Sequence, residues 1–159
     1  MANISTAPYQ TNAKIPAQQT DTLVVHCSDY RIQPGIREFL NDGLRLNGNF
    51  DLLAIPGGPQ ALTLVEYLPK FSWAGWKWFR FLLERHELKR LVLIAHDDCK
   101  WYETLPVHLH GSKVLRQRQE EDLRRVHTTL ESDFPGLIVE AYYVAWDDDQ
   151  RVNIETIAS

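Results

Sequence analysis

Sulfur is scarce in this chain: two cysteines and one methionine stand among 159 residues. Two cysteines allow one disulfide at most, which excludes the bridged frameworks of small secreted domains. Positive charge is also short, with 17 Lys and Arg against 21 Asp and Glu for a net charge of −4. That balance offers no general attraction for nucleic acid or for an anionic membrane surface. Long apolar runs are missing too: no stretch of about 18 apolar residues provides a membrane span. Residues 1 to 19 lack the basic start and apolar centre of a secretory leader. The expectation is a cytoplasmic protein that engages neither nucleic acid nor membrane.

What is present reads as one folded domain, 44% hydrophobic and 24% charged, with a length that supports a single core. Residues 1–19, rich in Ala, Gln, Thr and Asn, have little apolar periodicity and are expected to form a flexible arm. Residues 20–159 are left as one α/β domain. Thr22 to Cys27 is a continuous aliphatic and β-branched run suited to a buried strand, and Pro34 can start a helix over Gly35 to Leu46. Phe50 to Ile55 is a second strand, stopped by Pro56-Gly57-Gly58-Pro59, with a short helix expected over Ala61 to Leu68. Phe71 to His86 carries Trp73, Trp76, Trp78, Phe79 and Phe81 around nearly its whole circumference, which predicts a helix buried on several sides, by the core or by a second subunit. Leu91 to Ala95 and Leu137 to Trp146 are further strands, Ser112 to Leu130 a long charged helix, and Arg151 to Ile157 a weakly alternating candidate for an edge strand. The pattern predicts a mostly parallel central sheet of four strands plus an antiparallel edge strand, with helices on both faces. In such sheets ligands gather at the carboxyl ends of the strands.

Both cysteines sit at such ends. Cys27 closes the first strand, and His96-Asp97-Asp98-Cys99 follows the third. His96 and Cys99 are spaced to converge on one ion, and with Cys27 they would give Zn²⁺ two thiolates and an imidazole. The fourth position is left to Asp29, a water or a substrate. In an extended segment Cys27, Asp29 and Arg31 point the same way, so Arg31 can hold Asp29 in a bidentate pair and keep it off the metal. If that pair breaks, Asp29 can become the fourth ligand and close the site.

The segments Cys27-Ser28-Asp29-Tyr30-Arg31 and His96-Asp97-Asp98-Cys99 resemble the Cys-x-Asp-x-Arg and His-x-x-Cys signature of the β-class carbonic anhydrases. The resemblance extends to the order of strands and helices across about residues 21 to 157. It implies a Cys27, His96, Cys99 zinc site and an Asp29–Arg31 dyad. The implied reaction is reversible hydration of carbon dioxide to bicarbonate by a zinc-bound hydroxide, which Asp29 orients and Arg31 supports. It also implies a homodimer or higher homo-oligomer, with Gly57 or Gly58 matching a glycine near the substrate pocket.

The chain departs from the family at two places. Lys100 and Trp101 follow Cys99 where a glycine is usual, and Ala54 to Gln60 replaces an Arg-Asn-Ala-Gly-Asn-like segment. Pro and aliphatic side chains there, with Trp101, suit a more apolar pocket. Two alternatives stand beside carbon dioxide hydration: hydrolysis of carbonyl sulfide or carbon disulfide, and a catalytically silent, zinc-stabilised scaffold closed by Asp29. His108 and His110 are read as an exposed loop pair, His26 as packing, and Asp147 to Asp149 as a solvated turn.

Overall fold

A computed structural model describes residues 10–63, 69–104 and 112–157, the side chains of 112 and 113 apart. Five strands form one sheet: β1 (Thr22–Cys27), β2 (Asp51–Ile55), β3 (Arg90–His96), β4 (Ile138–Trp146) and β5 (Val152–Thr156). Their order is β2-β1-β3-β4-β5. β2, β1, β3 and β4 are mutually parallel, and β5 returns antiparallel to β4 as an edge strand. The four parallel strands, the antiparallel fifth and the helices between them are the architecture read from the sequence. The chain passes from β1 to β2 on one side and then crosses to β3 on the other. β1 and β3 therefore flank the point where strand order reverses, where an open α/β sheet leaves a crevice.

Alternation along the strands divides the core into two layers. Leu23, Val25, Leu91, Leu93 and Tyr143 face Phe79 of α2 (Pro69–His86) and Leu123, Val126 and Leu130 of α4 (Ser112–Asp133). Val24, Val92, Ile94 and Val144 face Ile36 of α1 (Gln33–Glu38) and Leu40 in the π-helical turn Phe39–Gly43. Val24, Val92 and Val144 are wholly buried, each contributing about 1.5–3 kcal/mol on transfer from water.

Three elements differ from the sequence expectation. The helix expected over Gly35 to Leu46 begins at Gln33 and ends at Gly43. Arg45, Asn47 and Gly48 all take left-handed φ values, which a right-handed helix cannot continue through. The helix expected from Ala61 starts earlier, as a 3₁₀ turn over Gly58–Leu62, because Gly57 adopts φ +74° and Pro59 pre-sets the first turn. The rest of that expected helix lies at 64–68, outside the described residues.

The third difference is α2. Ser72, Gly75 and Phe79 are buried, and Trp76 packs edge-on against Phe79. Trp73, Trp78 and Phe81, by contrast, are 65%, 45% and 62% exposed. Within one chain this helix is buried along one face only. His108 and His110 fall outside the described residues. The Asp147 to Asp149 run is a turn in which Asp147 Oδ1 accepts from the Asp149 and Arg151 amides.

Candidate metal centre

Parallel pairing of β1 with β3 ends at His26 against Ile94, which brings the carboxyl ends carrying Cys27 and His96 side by side. The chain returns through Asp98, at φ +50°, a left-handed conformation that Asp tolerates, and sets Cys99 at the start of the short helix α3 (Lys100–Glu103). All three side chains are buried, and their ligand atoms lie within 4.8 Å of one another. The two sulfurs are 3.9 Å apart. A disulfide requires about 2.05 Å; two thiolates at about 2.3 Å from a tetrahedral zinc would stand about 3.8 Å apart.

The hydrogen bonding of the imidazole agrees with that spacing. His96 Nδ1–H donates to the Asp97 carbonyl at 2.7 Å, which leaves Nε2 with a bare lone pair. That Nε2 is buried and has no hydrogen-bond partner. The contact with Cys99 holds the Cys27 thiol below its usual range, against the opposing effect of burial. Cys99 is pushed up in turn by its partner's thiolate and by burial. Two soft sulfurs and an unpartnered imidazole nitrogen are a donor set that fits zinc.

Asp29 lies outside this group of ligand atoms. Its carboxylate accepts from Arg31 Nε at 3.1 Å, from Nη2 at 2.6 Å and from the Arg31 amide at 3.0 Å. The Arg31 guanidinium holds the Asp29 carboxyl below the usual carboxylate range. Arg31 is held in turn. Nη1 donates to Asp98 Oδ2 at 2.9 Å, Nη2 to the Asp98 carbonyl at 3.0 Å, and the guanidinium lies 5.3 Å from the centre of the Trp146 ring. Gln33 Nε2 bonds the carbonyls of Cys27 and Asp29, tying the segment between them to α1.

A cavity of about 690 Å³ opens over these groups, walled by Cys27, Asp29, Tyr30, Arg31, Pro56 and Trp101 among others. Gly57 and Gly58 do not line it, in contrast to the sequence reading. They are buried behind the wall, with φ +74° and +52°. A Cβ on Gly57 would stand 2.2 Å from Trp101 Cδ1, and one on Gly58 2.7 Å from the Cys27 amide nitrogen. These glycines let the indole and the end of β1 approach the turn. Lining falls instead to their neighbours Pro56 and Trp101. His26 is buried, its Nδ1 bonded to the Cys27 carbonyl.

Asp98, Trp146 and Gln33 were not among the site residues read from sequence. Asp98 lies inside the His-x-x-Cys motif and Trp146 at the carboxyl end of β4, so position alone could have flagged both. No signal in the sequence pointed to Gln33.

No protein-family model matches the chain. An uncharacterized protein of Rickettsia conorii is 25% identical over 137 residues, covering 81% of this chain and 69% of that protein. Solved structures that share the architecture include three β-carbonic anhydrases. The β-carbonic anhydrase CafA of Aspergillus fumigatus superposes with a TM-score of 0.54 at 16% identity, over 89% of this chain and 78% of that one. A tetrameric β-carbonic anhydrase of Sordaria macrospora gives 0.51 at 14% identity, over 90% and 83%. The β-carbonic anhydrase CcaA gives 0.51 at 14%, over 90% and 85%. The fold of this chain is the β-carbonic anhydrase fold.

Proposed function

We propose that this protein is a zinc lyase that interconverts carbon dioxide and bicarbonate, with Cys27, His96 and Cys99 as the metal ligands. The observation that carries this reading is the convergence of those three donors beneath an open cavity whose rim holds an ionised Asp29 locked onto Arg31. Zinc held there would supply Lewis acidity, lowering the pKa of a coordinated water towards about 7.

The chain's own groups supply the rest. Arg31 Nε is a single N–H shared between the two Asp29 oxygens at 3.1 Å each, so a water in the cavity can replace one half of that shared bond, donate to the carboxylate and be oriented by it. Arg31 keeps Asp29 ionised and directed away from the metal. Trp101 and Pro56 give a linear, apolar substrate a dry wall, and that feature favours a second reading in which carbonyl sulfide or carbon disulfide is hydrolysed. Stopped-flow hydration of carbon dioxide by the zinc-loaded protein over about pH 6.5 to 9 separates the two, since that range spans the titration of such a water. Carbon dioxide turnover supports the first reading; sulfide release from carbonyl sulfide without it supports the second. Absence of both, with zinc bound and Asp29 as fourth ligand, would leave a zinc-stabilised scaffold.

We also propose a homo-oligomer, at least a dimer, in the cytoplasm. β2 is an edge strand, and exposed Leu52 on it lies in the same chain as the open aromatic face of α2. A groove between Leu53, Ile55, Trp78, Phe81 and Leu82 joins the two elements. Contiguous apolar surface of this kind is a place for a protein contact. A reducing compartment would keep Cys27 and Cys99 available as ligands. Residues 1–19 are proposed as an arm outside the zinc-binding domain of 20–159. Among the described residues no helix is long and apolar enough to cross a membrane.

A further inference from the structure

We infer that Gln119, on α4 and outside both cysteine motifs, is a positioning residue for His96; the inference rests on the metal-centre reading. The register of β1 with β3 stops at His26 against Ile94, after which the Ser28 amide bonds Ile55 on β2 instead. On the other side of β3, the Asp97 amide donates to the Val144 carbonyl at 2.9 Å. The main-chain N–H and C=O of His96 therefore face the side that β1 has left. His96 is fully buried, so a donor or acceptor left unpaired there carries its full desolvation penalty.

Gln119 supplies both missing partners. Its Oε1 accepts from the His96 amide at 3.3 Å, and its Nε2 donates to the His96 carbonyl at 2.9 Å. Only this orientation of the carboxamide satisfies both groups. Gln119 is 1% exposed, so no water competes for these bonds. The side chain takes the place of one residue of the absent strand.

The hold extends to the imidazole. Gln119 Nε2 lies 3.5 Å from the Tyr143 hydroxyl, which donates to Asp97 Oδ1 at 3.0 Å. The Asp97 carbonyl is the acceptor that sets the His96 ring, leaving Nε2 facing the sulfurs. Backbone and ring of one ligand are thus fixed from α4 and β4 together. Supports of this kind set ligand geometry and affinity.

The test is zinc affinity of the full chain, by competition with a chromophoric chelator, together with the visible spectrum of the cobalt(II)-substituted protein. Gln119→Met preserves length and removes both bonds; it is expected to weaken zinc binding by about 10–100-fold and to alter the cobalt bands. Gln117→Ala, on the exposed side of the same helix, is expected to change neither. Wild-type affinity and spectrum in Gln119→Met would overturn the inference, even if its metal-free form melted lower. Should Gln119→Met not fold, Gln119→Glu keeps the acceptor for the His96 amide and is read by the same two measurements. Failure of both to fold would assign Gln119 to the fold at large and equally overturn it. A wild-type chain that takes up no zinc would sink the metal-centre reading itself, a result distinct from either.

Discussion

Arg31 donates to Asp98 Oδ2 at 2.9 Å, so the side chain that restrains Asp29 is itself fastened to the loop carrying Cys99. Asp98 is shared, since Lys100 Nζ bonds its other oxygen at 2.6 Å. The dyad read from sequence is part of a longer chain of alternating charges, Asp29, Arg31, Asp98, Lys100 and Glu103, around the cavity mouth.

Loss of one end of this chain should loosen the other. Asp98→Ala is expected to retain zinc and to lower carbon dioxide hydration by about tenfold, the scale of one hydrogen bond between charged groups. Arg31→Ala should lower it by about 10²–10⁴ and free Asp29 to enter the metal's coordination, visible by X-ray absorption as an added oxygen ligand. Full activity in Arg31→Ala would refute the dyad argument.

Metal removal should cost stability as well as activity. Cys99→Ser is expected to lose zinc and to unfold at lower denaturant, because binding energy at a site formed only in the folded chain is folding energy. At about a thousandfold excess of zinc over its dissociation constant the linkage is about 4 kcal/mol. A chelator should bring the parent protein to the variant's midpoint. Equal midpoints with and without zinc would contradict the site.

The buried Asp122 on α4 gives a pH test that does not depend on metal binding. Burial pushes its carboxyl up, outweighing Arg118, while the Tyr102 hydroxyl donates to Oδ2 at 3.1 Å. A carboxyl with a raised folded pKa contributes stability below its unfolded value, about 3.9, and loses it as pH rises through the folded value. Asp122→Asn stays neutral throughout, so its stability relative to the parent should improve from about pH 3 to pH 7. Urea unfolding across that range checks this; a relative loss on raising pH would mean that the Arg118 pair dominates.

Gly57 should tolerate no side chain. Gly57→Ala places a Cβ 2.2 Å from Trp101 Cδ1 at a left-handed φ of +74°. The backbone part alone costs about 1–3 kcal/mol. Combining it with Trp101→Ala should relieve the clash and leave the backbone cost, which a double-mutant cycle by chemical denaturation resolves. Simple additivity of the two changes would show that the indole does not press on this turn.

Much of the architecture was legible because each strand is a compact run with its own punctuation. Thr22 to Cys27 and Leu91 to Ala95 need no partner to be read as strands, and Pro56 to Pro59 ends β2 by local sterics. The boundaries that moved, Gln33 to Gly43 and Gly58 to Leu62, depend on left-handed residues that composition does not reveal. Periodicity places the aromatic helix as buried on several sides, but it counts apolar residues without showing which neighbours cover Trp73, Trp78 and Phe81, which a single chain leaves exposed.

At the site, the donor types were determined by the sequence alone: two thiolates and an imidazole at strand ends, with a carboxylate two residues from an arginine. Their chemistry is local to the side chain, so a motif can carry it. The supports of that site were decided only by the tertiary structure. Asp98, Trp146 and Gln119 act through space, and which of them meets Arg31 or His96 follows from the placement of β1 beside β3 and the early departure of β1 from the sheet. That departure leaves the backbone of His96 unpaired, and packing brings a glutamine from a distant helix to satisfy it.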